Sequence, residues 1–463
     1  MGREHSHALQ HPVNLCCLAG YVRPHGFRPR IADFEVDPWS EEAFRRLLSD
    51  FRPRLIAFNA MTPTIDAAAR MARVATDALP GASIVAGGPH TSILPRHTLE
   101  NYSAIDAVVM GEGEQAFLDI CLAVREERLG DSPTPSALIR RGAEIIGDEA
   151  DRHPPLDLDS LPPPARDLLD MKKYSGAPTP GIPWGGDRAT QLFTARGCPG
   201  RCIFCCSEHV FGRRVRTRSA ARVLDEVRDC MSRFGIRHFT IDNDTFTYDR
   251  DFVIEFCRGM SQLDATWDCD TRVDRVDDEL LETMARSGCL KVAFGVETGS
   301  ERILKLIKKG ITLEQVEKAF RGARRAGMLS CAFLMLGNHP EETEADIDAT
   351  RRLVRRIRPD LISVALATPY PGTRLRDLML EEGLLDESRP WSDYGQSFQG
   401  KPFIRTKTVS AERLLELQTL MLRGFYLRPE YILKRLAGIR GGRELRYWFG
   451  AGIGFIQYLL GRR

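Results

Sequence analysis

Helix-like and strand-like hydrophobic patterns alternate along the first third of the chain. Short apolar runs at 55–58, 83–86 and 107–110 are typical of buried strands. Ser40 can cap an amphipathic helix that precedes the first of these runs. Buried strands that alternate with amphipathic helices form parallel sheets covered by helices on both faces. We therefore predict an α/β fold that begins with a doubly wound sheet domain at residues 1–150.

A second alternating series follows the first. Its six apolar runs lie near 192–194, 238–241, 266–268, 291–294, 331–336 and 362–366. Six strand–helix units predict a partial (β/α)6 barrel at residues 191–380. Residues 151–190 are rich in proline and glycine, which is typical of a linker, and we expect it to pack against both neighbours. After residue 381 the pattern is helical and irregular, so we predict a mostly helical C-terminal region at 381–463.

Charge and composition bear on nucleic-acid binding, cellular compartment and membrane contact. The 463 residues include 65 basic and 63 acidic side chains, and the net charge of +2 gives no overall field that favours nucleic acid. The twelve cysteines show no regular framework of spacings, which favours a reducing cytoplasm. No apolar run reaches the roughly 18 residues needed to span a bilayer. The segment 447–460 lies between arginines and either contacts a membrane surface peripherally or packs against the barrel.

Three cysteines stand close together directly after the first predicted barrel strand, in the sequence C-P-G-R-C-I-F-C from Cys198 through Cys202 to Cys205. A structural zinc site needs four ligands, and a complete iron–sulfur cluster also takes four thiolates. The local run supplies three, and Cys206 would be a strained fourth ligand. The spacing predicts an iron–sulfur cluster with one open iron, and the alternatives are a zinc knuckle or a chance spacing.

The C-x3-C-x2-C spacing, with Phe204 directly before the last cysteine, resembles the radical S-adenosylmethionine (SAM) superfamily. The resemblance implies that Cys198, Cys202 and Cys205 bind a [4Fe–4S] cluster and that Phe204 lies among the cofactor contacts. It also implies that the open iron chelates SAM and that reduction yields a 5'-deoxyadenosyl radical. A reducing partner such as flavodoxin or ferredoxin is then required.

Later strands carry further segments that resemble this superfamily. In I-D-N-D-T-F-T the resemblance assigns Asp242, Asn243 and Asp244 to the SAM ammonium group, although Asp244 could instead start a helix. In F-G-V-E-T-G-S it assigns Glu297 to the SAM ribose, with a structural role as the alternative. In L-M-L-G-N-H-P-E-E-T it assigns the backbone at Gly337 to the adenine.

Two residues in the last barrel loops have open alternatives. His339 stands where the superfamily usually has an apolar-proline-glycine sequence, and it is either a substrate acid or base or an exposed loop histidine without such a role. Tyr370, in A-T-P-Y-P-G-T, lies in a segment that resembles the sixth strand of cobalamin-linked members. It is our candidate catalytic residue, and packing against the turn is the alternative.

The first domain, from about residue 15 to 124, resembles the Rossmann-like cobalamin-binding domain that precedes the radical SAM barrel in a large subfamily. Its small-residue loops follow the strands, where ligands of such sheets bind. The candidate cobalamin contacts in these loops are Thr62, Thr64, Gly87, Gly88, His90, Gly111 and Glu112. The alternative is a Rossmann-like domain that holds nothing.

This domain departs from the usual pattern in two ways. It has no D-x-H-x-x-G segment, so the resemblance implies a corrin without a protein histidine on cobalt, and His90 is predicted to contact the corrin rim. No clear strand precedes the first helix, so either the sheet is one strand short or the start of the chain is truncated.

The resemblance implies a cobalamin-dependent radical SAM enzyme that methylates an unactivated carbon of a small-molecule natural product or lipid. Its cofactors would be a [4Fe–4S] cluster, SAM and cobalamin. One alternative is a ring-forming or rearranging enzyme of the anaerobic magnesium-protoporphyrin ester cyclase or hopanoid-modifying type. A second alternative, from another class, is a cobalamin-binding sensor with an inert barrel. The intact Cys198, Cys202 and Cys205 argue against the sensor.

Overall fold

The computed structural model describes residues 11–174, 189–399 and 404–437, together with 439, 442, 445, 448–450 and 452–454. Its first sheet has five strands in the order β1-β2-β3-β4-β5. The strands are β1 Leu55–Asn59, β2 Ser83–Gly87, β3 Ala107–Val109, β4 Ala137–Arg141 and β5 Glu144–Ile146. The three strands predicted from apolar runs are β1 to β3, and they pair in parallel.

Six helices accompany this sheet. They are α1 Val13–Val22, α2 Glu41–Phe51, α3 Ile65–Ala78, α4 Pro89–Ile93, α5 Pro95–Asn101 and α6 Glu114–Arg125. The Ser40 hydroxyl accepts a hydrogen bond from the backbone N–H of Ala43 at 3.0 Å, so the predicted cap of α2 is present. The hairpin β4–β5 was not predicted. It pairs antiparallel to β3 and ends the sheet with charged residues at an edge.

The second sheet contains all six predicted barrel strands, in the order β13-β12-β11-β10-β9-β6, and every neighbouring pair is parallel. The strands are β6 Ala189–Leu192, β9 His238–Ile241, β10 Thr266–Thr271, β11 Cys289–Glu297, β12 Leu329–Leu336 and β13 Leu361–Leu366. A two-stranded ribbon, β7 Ala195–Arg196 with β8 Arg216–Thr217, follows β6. The predicted α/β fold with an open parallel barrel sheet is confirmed.

Helices cover the outer face of this sheet and bury a continuous apolar core against it. They are α8 Ala220–Phe234, α9 Arg250–Met260, α10 Asp278–Arg286, α11 Glu301–Leu306, α12 Leu313–Arg325, α13 Glu344–Ile357 and α14 Arg374–Glu381. The short helix α7 Glu208–Phe211, which follows the three clustered cysteines, packs against α4 instead. Thr312, for example, caps α12 by accepting from Gln315 N at 3.2 Å, and Gln315 accepts from Thr312 N in return. The carboxyl ends of all six strands therefore face one edge, where the loops carry the candidate residues.

The described part of the linker contacts both the first domain and the barrel. Ala165 N donates to the carbonyl of Cys16 in α1 at 2.9 Å. The Arg166 guanidinium, which is 2% exposed, donates to the carbonyl of Gln191 and pairs with Glu226 at 2.8 Å each. Residues 175–188 of the predicted linker lie outside the described residues.

Two helices of the C-terminal region are described, α15 Ala411–Tyr426 and α16 Pro429–Ala437. Gln418 donates to the carbonyl of Val364, and the Tyr426 hydroxyl bonds both backbone groups of Ile362, so α15 satisfies the open edge of β13. No helix among the described residues is long and apolar enough to cross a membrane. Most of the segment 447–460, where we predicted either peripheral membrane contact or packing, lies outside the described residues.

Candidate functional site

The cysteine loop begins directly after the ribbon strand β7. Gly197 has φ +91°, and a Cβ there would overlap the carbonyl oxygen of Arg214 across the ribbon. A residue with a side chain would therefore displace the start of the loop. Ile203, within the loop, donates its backbone N–H to the carbonyl of Ile307 at 3.1 Å, which ties the loop to the end of α11.

The three thiols of this loop share one cavity. Cys198, Cys202 and Cys205 are all unpaired and all line a cavity of about 310 Å³. The sulfurs of Cys198 and Cys202 lie 3.3 and 3.9 Å from the position of a Cβ on Gly200, so both thiols adjoin this glycine. Among the described residues, no three His, Cys, Asp or Glu side chains lie close enough together to hold a single metal ion.

Cationic groups stand close to the thiols. Burial raises the pKa of the Cys202 thiol, and the positive charges of Lys309 and Arg272 oppose that rise. Cations near a thiol favour the thiolate, which is the form that binds metals. Phe204 is half-buried and packs against the barrel core. The donor set of three thiols in one cavity, with cations beside it, fits a cluster held by three thiolates.

The loop after β9 supports the cysteine loop from one side. Asn243 accepts from the backbone N–H groups of Thr194 and Ala195 at 3.0 and 3.3 Å, and donates to the Thr194 hydroxyl at 2.6 Å. Its amide is therefore engaged by the protein chain, and its predicted role toward SAM stays a prediction. The neighbouring Asp242 accepts from Gln191 at 2.8 Å, and burial raises the pKa of this carboxyl.

Asp244 accepts a hydrogen bond from the hydroxyl of Ser207, just past the last cysteine. The alternative that Asp244 starts a helix is wrong. Helix α9 is capped by Asp249, which accepts from Phe252 N at 3.1 Å. Asp244 thus lies in a loop beside the cysteine loop, and its predicted role toward SAM stays a prediction.

Glu297, at the end of β11, has a strained backbone and a buried partner. Its φ is +66°, and its carboxylate pairs at 2.6 Å with Lys309, whose side chain is 8% exposed. A non-glycine residue in the left-handed region costs roughly 1–3 kcal/mol and persists where the surrounding structure enforces it. Sequence reasoning missed Lys309, because nothing in its local sequence signals a partner for Glu297.

The loop after β12 is built around a buried carboxyl. Gly337 has φ +72° and its N–H donates to Glu342, which is 0% exposed. Burial raises the pKa of Glu342 to about 8. His339 is buried at 8% exposure and accepts from Glu341 N at 3.1 Å, so the expectation of an exposed loop histidine is wrong. The chain near Lys407, whose N–H donates to the carbonyl of Pro340, covers this loop.

Tyr370 is partly buried, and its ring centroid lies 6.1 Å from that of Tyr394 in the helical turn Trp391–Gln399. Burial raises the pKa of its phenol. Its hydroxyl donates to the carbonyl of Tyr394 at 3.5 Å. The side chain is held by the C-terminal region, and its catalytic role stays a prediction.

The first domain gathers its candidate loops at one sheet edge. Ala60 N donates to the carbonyl of Gly87 at 2.7 Å, and His90 N donates to the carbonyl of Ala60 at 3.1 Å. Gly111 N donates to the hydroxyl of Ser92 at 2.9 Å. Thr64 lies in the short helical turn Thr62–Thr64. The loops after β1, β2 and β3 are therefore joined directly to one another.

His90 is fully buried in this edge. Its Nδ1 lies 3.2 Å from the Thr62 hydroxyl, and its Nε2 has no hydrogen-bond partner among the described residues. Its ring centroid is 5.4 Å from that of Trp391. Burial lowers the pKa of His90 to about 4, so the imidazole is neutral. The ring is thus covered by Trp391, and its predicted contact with the corrin rim stays a prediction.

Glu112 joins the first domain to the barrel. Its carboxylate pairs with Arg196, two residues before Cys198, at 2.7 Å and also pairs with Arg216. Arg196 pairs at the same time with Glu114, whose side chain is 5% exposed. Each oxygen of the Glu112 carboxylate is thus paired with an arginine. We call Arg196, Arg216, Glu112 and Glu114 the hinge cluster.

The inside of the barrel sheet carries a buried polar group that sequence reasoning also missed. Asp268, at 0% exposure, bonds His238 Nε2 at 2.7 Å and lies 3.6 Å from Lys291. Asp270 follows on the same strand face. Burial, with the nearby carboxyls of Asp268 and Asp242, raises the pKa of Asp270 to about 7 although Lys291 opposes the rise.

Replacing Asp270 with asparagine should therefore change the pH dependence of stability. With a folded pKa near 7 and an ordinary value of 3.8, the folded state holds an extra proton between these limits, so parent stability falls as pH rises through them. Asp270→Asn removes this loss, and its unfolding free energy relative to the parent should rise by about 2–3 kcal/mol from pH 5 to pH 8. Urea unfolding at both pH values measures it, and parallel pH curves would contradict the burial argument.

Both the first domain and the barrel match known protein families. Residues 3–120 match the family model described as B12 binding domain, and residues 192–354 match that of the radical SAM superfamily. The chain is 31% identical over 430 residues to an uncharacterized methyltransferase of Pyrococcus horikoshii, covering 91% of this chain and 89% of that protein. The chain belongs to the cobalamin-binding radical SAM family.

Two further relatives of this radical SAM enzyme differ in their named reactions. The cytidylyl-2-hydroxyethylphosphonate methyltransferase of Streptomyces wedmorensis is 27% identical, over 81% of this chain and 79% of that protein. The anaerobic magnesium-protoporphyrin IX monomethyl ester cyclase of Cereibacter sphaeroides is 28% identical, over 97% of this chain and 73% of that protein. The family thus includes both methyltransferases and cyclases.

Two solved structures share the whole architecture. The methyltransferase TsrM from Kitasatospora setae, with cobalamin and a [4Fe–4S] cluster bound, has a TM-score of 0.70 at 16% identity and covers 92% of this chain and 88% of that chain. The radical SAM enzyme OxsB with aqua-cobalamin bound has a TM-score of 0.74 at 17% identity, over 98% and 70%. The order of first domain, barrel and C-terminal region is that of these enzymes. At the level of the family, the three predicted cofactors are confirmed.

A substitution in the first domain of this radical SAM enzyme should impair cobalamin binding and leave the iron–sulfur site intact. Gly88 has φ +125°, and a Cβ there would lie 2.8 Å from Ala60 O and from Asn59 Oδ1. Gly88→Ala must therefore push apart the loops after β1 and β2 and cost about 1–3 kcal/mol locally. We expect purified Gly88→Ala to lose most bound cobalamin while it keeps the iron content of the parent.

The matched control is Gly81→Ala, because Gly81 has no atom within 4 Å of its Cβ position and no positive φ. Cobalamin absorbance and iron content are measured in the same sample for each variant. Equal cobalamin in Gly88→Ala and Gly81→Ala would contradict a ligand site at this sheet edge.

Proposed function

We propose that this chain methylates an unactivated carbon of a small molecule, as a cobalamin-dependent radical SAM methyltransferase. The observation that carries the proposal is the hinge cluster. Arg196 lies two residues before the cluster cysteine Cys198 and pairs with Glu112 and Glu114 of the first domain. An enzyme that combines radical chemistry with methyl transfer needs its two cofactor sites held at a fixed separation, and buried ion pairs with these geometries provide that.

The residues for the radical half lie around the cysteine loop. Cys198, Cys202 and Cys205 would hold the cluster, and Lys309 and Arg272 would favour the thiolate form of Cys202. Further residues would bind SAM, namely Phe204, Asp242, Asp244, Glu297 and the backbone at Gly337. The bound cofactors supply a carbon-centred radical and a transferable methyl group.

The residues for the methyl-transfer half lie at the edge of the first sheet. Thr62, Thr64, Gly87, Gly88 and Gly111 would let the backbone approach cobalamin closely. His90 would offer a neutral ring edge. Trp391 covers His90 from the C-terminal region and would exclude water from this side. The region that covers both halves would then select the substrate, with Tyr370 facing it.

A cyclase is the second candidate. The observation that favours it is the 28% identity to the Cereibacter sphaeroides cyclase over nearly the whole of this chain. Both reactions would begin with hydrogen abstraction from the substrate. They differ in whether a methyl group from SAM appears in the product.

Methyl-deuterated SAM distinguishes the two candidates. The anaerobically reconstituted chain would be reduced and incubated with the substrates of the phosphonate methyltransferase and of the cyclase, and with other small natural products. Methyl transfer should give S-adenosylhomocysteine alongside 5'-deoxyadenosine and a deuterated methyl group in the product. Substrate turnover with deoxyadenosine but without S-adenosylhomocysteine would reject methyl transfer and support the cyclase.

A further inference from the structure

Positive charge is concentrated on one side of the cysteine loop. A cavity of about 520 Å³ is lined by Pro199, Gly200 and Arg201 of that loop and by residues after β9, β10 and β11. Among the described residues that line it, six are cationic and none is acidic; the cations are Arg201, Arg272, Arg275, Lys305, Lys308 and Lys309. The chain as a whole is nearly neutral, so this cavity is a local feature.

Half of these cations already have partners inside the protein. Lys309 pairs with Glu297. Arg272 pairs with Asp274 at 2.9 Å and donates to the carbonyl of Lys309. Arg275 lies over the ring of Tyr248, 4.9 Å from its centroid. These contacts within the protein explain why the three cations are present.

The other three cations do not. Arg201, Lys305 and Lys308 are exposed, and in the described part of the chain none of them forms an ion pair. We call these three the rim cations. Arg201 and Lys308 also line the 310 Å³ cavity that contains all three cluster cysteines. The rim cations therefore lie where the cysteine loop meets solvent.

Two of the rim cations have backbone positions next to the thiols: Arg201 adjoins Cys202 in the chain, and Lys308 is held beside the loop. Ile203 lies between Cys202 and Cys205, and its hydrogen bond to the carbonyl of Ile307 places Lys308 directly beside the loop. Lys308 itself has φ +53°, a conformation that a lysine holds only where the surrounding structure enforces it. Unpaired cations held this way raise the local potential at one approach to the loop.

We infer that the rim cations dock an acidic one-electron carrier protein of the flavodoxin or ferredoxin class. This inference rests on the proposed function, which needs an electron donor at the cysteine loop. The reduced carrier gives up one electron there and leaves oxidised, and no atom is transferred. An acidic carrier would be steered to the rim by complementary charge, and such steering speeds association and is screened by salt.

The test removes the charges without reversing them. The triple variant Arg201→Gln, Lys305→Gln and Lys308→Gln is compared with Arg321→Gln, Arg352→Gln and Arg355→Gln, which removes three exposed cations from α12 and α13 that line neither cavity. The reconstituted chain binds purified bacterial flavodoxin in a calorimetric titration at low and high salt. Iron content and thermal melting check that all samples carry the cluster and fold.

We expect the rim variant to bind flavodoxin about tenfold more weakly than the parent at low salt, with a smaller dependence on salt. The control variant should bind like the parent. Deoxyadenosine formation driven by flavodoxin should fall in the rim variant, whereas formation driven by reduced methyl viologen should not.

Two results would overturn the docking inference. One is unchanged flavodoxin affinity in the rim variant. The other is an equal loss of activity with both reductants, since the rim cations would then act on an anionic substrate or on the cofactors. If the parent formed no deoxyadenosine with either reductant, the proposed function would fail, and the calorimetric comparison would still decide the docking surface.

Discussion

Replacing Cys202 with alanine is expected to abolish 5'-deoxyadenosine formation and to remove most of the bound iron. Cys202 is one of three thiols that share the cavity at the barrel edge, and its sulfur lies beside that of Cys198 across Gly200. With two thiolates left, the loop cannot hold a cluster that requires three from the protein. Iron content, cluster absorbance and deoxyadenosine after anaerobic reconstitution measure the effect.

Cys206→Ala is the matched control for this variant. Cys206 adjoins Cys205 and is half-buried like Cys202, but it does not line the cavity of the three thiols. It should keep the iron content and activity of the parent. If Cys206→Ala lost the cluster as completely as Cys202→Ala, the assignment of the ligand set to Cys198, Cys202 and Cys205 would be wrong.

Arg196→Met is expected to be the most destabilising of the single substitutions proposed for this chain. Arg196 is 14% exposed and pairs with both Glu112 and Glu114 of the hinge cluster. Its loss leaves the 5%-exposed Glu114 carboxylate without its cation, and breaking a buried pair in this way costs about 3–5 kcal/mol. The substitution should also lower methyl transfer more than deoxyadenosine formation, because only the Arg216–Glu112 pair of the hinge cluster then joins the ribbon to the first domain.

Arg213→Met removes an arginine of the same loop region from an exposed pair with Glu208. Such pairs contribute about 0–1 kcal/mol, so this variant should unfold in urea nearly like the parent. Equal urea midpoints for Arg196→Met and Arg213→Met would contradict the burial argument for the hinge cluster.

Local patterns in the sequence were enough for the strands and for the cluster motif. The central strands of the first sheet are continuous apolar runs because helices pack on both of their faces, and this signal does not depend on distant residues. The three cysteines lie within eight residues, so their shared cavity is also a local property. The hairpin Ala137–Ile146 was missed because it is short and carries charges such as Arg141 and Glu144 at the sheet edge.

Contacts between distant segments could not be predicted in this way. Glu112 stays a predicted cobalamin contact, and its ion-pair partners Arg196 and Arg216 are more than eighty residues away, in the two-stranded ribbon β7–β8. Lys309 and Asp270 gain their properties from burial beside groups on other elements. An exposed loop histidine was one of the two alternatives for His339, and it is wrong because the chain around Lys407 returns to cover that loop.

The most direct test of the whole account is the fate of SAM after reduction. The full chain would be reconstituted anaerobically with iron, sulfide and cobalamin, reduced, and given SAM with the candidate substrates. We expect 5'-deoxyadenosine from the parent and none from Cys202→Ala. An intact cluster in the parent that yields no deoxyadenosine under these conditions would contradict that expectation.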